Sequence, residues 1–122
     1  MIDPALYRQR KLKGGFTIVD VDLTQERLTD ALGRQAIPRT RIIAREFFIT
    51  LQSGLSDQEL SITLYHEVLE AAAVAATDPP ESVMTFNEAD FERAAYQAHR
   101  RFGEASPENL DQMLQSYGFG EK

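Results

Sequence analysis

The chain has 122 residues, 43% of them hydrophobic and 26% charged, the balance of one soluble globular domain spanning 1–122. It contains no cysteine, which excludes disulfides, thiolate zinc sites and cysteine nucleophiles and fits an expected cytoplasmic setting. A net charge of −6 repels a phosphate backbone, and no apolar run approaches the roughly 20 residues of a membrane span, so neither nucleic acid nor membrane is an expected partner.

Met1 to Lys13 is polar and basic, lacks the apolar stretch of a signal peptide, and reads as a short helical or loose arm ended by Gly14-Gly15. Phe16 to Leu23 alternates as a strand, with Thr17, Val19, Val21 and Leu23 on one side and Asp20 and Asp22 on the other. Thr24 is placed to cap a short helix through about Gly33, burying Leu28, Ala31 and Leu32. Beyond Pro38, Arg41 to Leu51 reads as a second, more buried strand, which Ser53-Gly54 breaks.

Ser56 and Glu59 have the spacing of a capping box that opens a central helix. Its apolar stripe is Ile62, Tyr65, Leu69, Ala72, Ala73 and Ala76, and Asp78-Pro79-Pro80 ends it. Thr85 with Glu88 repeats the capping pattern for the next helix, whose stripe is Phe91, Ala94, Ala95, Ala98 and Phe102 up to Gly103. Ser106-Pro107 starts a last short helix that packs Leu110, Met113 and Leu114. The order is strand, helix, strand and three helices. That is an α+β domain: a small two- or three-stranded sheet packed against a central helix and two further C-terminal helices. An unpaired edge strand and an alanine-rich helix leave a homodimer open.

The central helix carries Tyr65-His66-Glu67-Val68-Leu69-Glu70. His66 and Glu70 are one turn apart and point the same way, on the shoulder of the apolar stripe. An imidazole and a carboxylate at that spacing can chelate one divalent ion, with Glu67, rotated by about 100°, left as base for a water that the ion activates. Glu88, Glu92 and His99 share a face of the following helix, so a route through His66, Glu70, Glu92 and His99 is also open; two turns separate Glu92 from His99, and Glu92 is preferred.

The segment "TLYHEVLEAAAVA" resembles the active-site helix of the zincin-like metallopeptidases, whose pattern is HExxH. The resemblance covers Arg41 to about His99. It implies a zincin-like fold, His66 as first metal ligand, Glu67 as catalytic base, Glu70 in the place of the second ligand, and a third ligand from Glu88 or Glu92. It also implies a metal-dependent hydrolase of peptides or proteins, or an inactive relative of one. Glutamate in place of the second histidine hardens the donor set, favouring manganese or iron over zinc.

Other readings of the same residues stand beside this one. His66 is equally placed to be a half-buried histidine paired with Glu70 or Glu92, and Glu88 to serve only as a cap. The arginines around the second strand (Arg34, Arg39, Arg41 and Arg45) offer a docking face for a non-enzymatic, metal-free interaction module.

Overall fold

The computed structural model describes residues 2–24 and 39–120. Their α+β architecture is a four-stranded mixed sheet with helices following it. The helix expected from Thr24 to Gly33, and Arg34, lie outside the described residues apart from Thr24 itself, which ends a strand and pairs with Gln52.

The basic arm folds further than its composition suggests. A 3-10 turn at Pro4–Tyr7 leads into strand β1 (Arg10–Leu12), which pairs antiparallel with β2 (Phe16–Thr24) through a turn at Gly14-Gly15. Both glycines have positive φ, 86° and 82°, which side-chain-bearing residues adopt at a cost. The Tyr7 hydroxyl donates to the Ala105 carbonyl at 2.6 Å, tying the arm to the C-terminal half.

The alternation read along β2 is correct only for its second half. Phe16, Ile18 and Val21 are buried, and the register against β4 shifts between Ile18 and Asp20. A bulge there inserts one residue, so the inward side changes from even to odd numbers. Thr17 and Val19 therefore do not share a face with Val21.

The long second strand is two strands, β3 (Arg39–Ile43) and β4 (Glu46–Gln52), paired antiparallel as a tight hairpin. No glycine, asparagine or proline marks the turn; Ala44 takes φ 55° instead. Arg45 secures the tip, donating to the Gly14 carbonyl at 2.6 Å with its guanidinium 5.0 Å from the Phe16 ring centroid. The strand order is β1-β2-β4-β3, with β2 and β4 parallel in the middle. Phe47, Ile49 and Leu51 of β4 point into the core.

Helix α1 (Asp57–Ala75) begins at the expected Ser56/Glu59 capping box. Its buried arc is broader than one stripe, adding Leu60, Ser61, Leu64, Val68 and Ala71, because the helix touches β3 and β4 as well as its helical neighbours. After Pro79-Pro80 a single turn, α2 (Glu81–Met84), precedes α3 (Glu88–Phe102) and α4 (Pro107–Ser116). The latter starts at Ser106-Pro107 as expected and buries Leu110, Met113 and Leu114. No helix among the described residues is long and apolar enough to cross a membrane.

The α3 cap differs from expectation. Asn87, not Thr85, is the N-cap, and Asp90, not Glu88, returns the bond to it. Both tetrapeptides fit the capping pattern; packing decides between them. Phe86 lies edge-on against Phe91 with centroids 5.2 Å apart, a hydrophobic staple that is in register only if Asn87 is the cap. Glu88 is thereby released from capping and becomes the first residue of the helix.

Candidate metal centre

Helix α1 lies against α3, and their meeting faces bring together most of the acidic residues singled out from the sequence. His66 is at the centre, its side chain 13% exposed and its ring roughly parallel to Phe91, with centroids 6.3 Å apart. Nδ1 contacts Glu92 Oε1 at 2.6 Å. At that distance the ring nitrogen donates and the carboxylate accepts. Nε2 faces the other way, 3.4 Å from Glu70 Oε1 and 3.4 Å from Glu88 Oε2. Glu92 is thus brought to the imidazole edge opposite Glu70, while Glu88 joins Glu70.

Glu67 points toward the sheet. The Thr40 hydroxyl of β3 donates to its Oε1 at 2.6 Å. No sequence signal marks Thr40, since a threonine in a strand is unremarkable until its partner is known. One potential ligand atom from each of His66, Glu67 and Glu70 falls within 4.8 Å of the others.

His99 is not brought to this cluster. Its Nδ1 lies 2.8 Å from the Ser61 hydroxyl, whose oxygen also accepts the Ala105 backbone N–H at 2.9 Å. The route that would use His99 as a ligand is therefore corrected: a fully buried serine holds it against the start of the α3–α4 connection. Ser61→Ala is expected to destabilise the chain by roughly 1–3 kcal/mol, because it orphans a buried N–H. Denaturant unfolding reads this directly, and a loss under about 0.5 kcal/mol would contradict it.

The electrostatics follow from crowding. Burial raises the Glu70 carboxyl, and Glu88 beside it adds to the effect, bringing it up to about 7. Burial likewise raises Glu67, against the lowering influence of the Thr40 bond and of His66. For His66 burial favours the neutral ring, but the Glu92 bond and the charges of Glu67, Glu88 and Glu70 outweigh it and raise the imidazole. Among the described residues no lysine or arginine pairs with Glu67, Glu70, Glu88 or Glu92.

A divalent cation fits the donor set. One imidazole and several carboxylates suit borderline to hard ions. Two donors at about 2.0–2.1 Å from one ion are about 3.0 Å apart in octahedral and about 3.4 Å apart in tetrahedral coordination; Nε2 lies 3.4 Å from each of the two facing oxygens. The Nδ1–Glu92 contact has the form of the outer carboxylate that ligating histidines commonly carry, and it holds the ring in one orientation.

No protein-family model matches the chain, and comparison with curated proteins and with solved structures gives no significant match either.

Proposed function

We propose that the chain is a zincin-like, divalent-metal-dependent hydrolase acting on a peptide-like bond, with an HExxE helix in place of HExxH. The observation that carries this reading is the two-sided environment of His66: a carboxylate on Nδ1 and two carboxylate oxygens at equal distance from Nε2. His66, Glu70 and Glu88 would hold the ion, with manganese or iron favoured over zinc by the carboxylates. Glu92 then acts as the orienting group for His66. When bound, the ion polarises the scissile carbonyl and makes a water easier to deprotonate.

The remaining work falls to the protein. Glu67 takes the proton of the attacking water on the carboxylate oxygen that Thr40 leaves free, and returns it to the departing amine nitrogen. Burial raises its affinity for protons, which suits a group that must accept one from water. Thr40 holds the other oxygen, so Glu67 keeps one orientation throughout. The Phe91 ring backs His66 and limits water on that side. The lack of cysteine fits such chemistry in a reducing, cytoplasmic setting.

Protein purified without chelator and analysed by elemental mass spectrometry is expected to carry close to one manganese, iron or zinc ion per chain. His66→Ala is expected to carry almost none. A wild-type chain that holds no metal, and takes none up from millimolar manganese or zinc, would remove the reading and leave His66 as a tether between α1 and α3.

A further inference from the structure

Beside the His66 cluster, α1, α3 and Leu55 ahead of α1 border a solvent-open cleft of about 290 Å³. Its apolar surface comes from Leu55 and the buried Ile62, and the Tyr96 ring, 49% exposed, forms part of its wall. Its polar lining includes Gln58 and two carboxylates, Glu59 and Glu92, with no lysine or arginine among the described residues. The Ser56 backbone N–H and hydroxyl, bonded around Glu59 in the capping box, hold that carboxyl below its usual range. Glu92 is shared: one of its oxygens is on His66 Nδ1, so the cleft opens directly beside the proposed centre.

We propose that this cleft is a specificity pocket for a cationic side chain, lysine or arginine, of a peptide bound at the His66 centre. The inference rests on the hydrolase reading for its location and on the lining for its chemistry. Three features converge on that class of ligand. An apolar surface suits the methylene stem, an exposed aromatic ring attracts a cation, and two carboxylates, Glu59 and the Glu92 group already bonded to His66, supply the opposite charge. The volume lies at the lower bound of ligand pockets, about 300 Å³, and suits one side chain better than a longer segment. An anionic side chain would face the Glu59 and Glu92 carboxylates.

The test is an NMR titration of the chain with terminally blocked Gly-Xaa-Gly tripeptides, Xaa being arginine, norleucine or glutamate. The arginine peptide is expected to shift the amide resonances of Gln58, Ile62 and Tyr96, and the other two to leave them in place. Tyr96→Ala and Glu59→Gln are each expected to weaken arginine binding by roughly fivefold. Glutamine still serves a capping box, so the second variant removes the charge and keeps the helix start. Equal binding of the norleucine peptide, no shift with the arginine peptide, or arginine binding unchanged in both variants would overturn the pocket. Manganese uptake by the same samples separates the two ideas. A chain that takes metal without discriminating the peptides keeps the centre and loses the pocket. One that discriminates them without taking metal keeps the cation site and loses the hydrolase.

Discussion

Glu67→Gln is expected to leave metal content near the wild-type level and to lower peptide hydrolysis by a factor of roughly 10²–10⁴. The amide has the shape of the carboxyl, and its oxygen still accepts the Thr40 hydroxyl, so the local packing persists. What disappears is the ability to take a proton from water. Turnover of a fluorogenic peptide library, read beside elemental analysis of the same preparation, separates the outcomes. Unchanged turnover would remove Glu67 as base. Loss of metal together with activity would make it a ligand, which its place within 4.8 Å of the His66 and Glu70 donor atoms also permits.

The second large effect concerns pH. An ion needs a neutral imidazole and an ionised carboxylate, so it must displace protons from His66 and Glu70. The Glu70 carboxyl is pushed up to about 7 by burial and by Glu88, and the His66 ring, despite its burial, is raised by Glu92 and the other surrounding acids. Manganese affinity is therefore expected to climb by about tenfold between pH 6 and pH 8 from the Glu70 proton alone, with displacement of the His66 proton adding to the rise. Metal-free protein should behave in the opposite sense. Both groups bind protons more tightly folded than unfolded. The stability this contributes is complete below their unfolded values and lost as pH rises through the folded ones. The melting temperature of the metal-free chain is expected to fall from pH 6 to pH 8, and saturating manganese to reverse the trend. A metal-free melting temperature that rises over this window would show that the cluster does not retain its protons.

Much of the site was legible because a helix converts spacing into direction. His66 and Glu70 had to share a face, and the α3 stripe placed Glu92 where it could meet them. The charge-assisted contact between His66 and Glu92 is the pairing that the plainer histidine reading also anticipated, and the candidate ion site is built around it. Which edge of His66 each of Glu88 and Glu92 meets was not legible. Thr85-Phe86-Asn87-Glu88 and Asn87-Glu88-Ala89-Asp90 both satisfy capping, and only the packing of Phe86 on Phe91 chooses the second. Thr40 reaches Glu67 across 27 positions of sequence, a separation over which no local pattern operates.

The sheet was harder to read than the helices. Ala44 makes a hairpin turn without any of the residues that announce one, so two strands read as one. The shift between Ile18 and Asp20 reverses inward and outward in mid-strand, which a strict alternation cannot represent. The arginines proposed as a docking face are partly spoken for: Arg41 lies 4.8 Å from the Phe48 ring centroid and Arg45 holds the hairpin tip. Long side chains of this kind cover apolar surface as readily as they attract partners.

Calorimetric titration of manganese into chelator-stripped protein at pH 6.5, repeated in buffers of different ionisation enthalpy, addresses the central claim most directly. The account expects one site per chain, release of one to two protons on binding, and loss of both signals in His66→Ala. Manganese that binds without releasing protons, binds equally well to His66→Ala, or does not bind at all would contradict it.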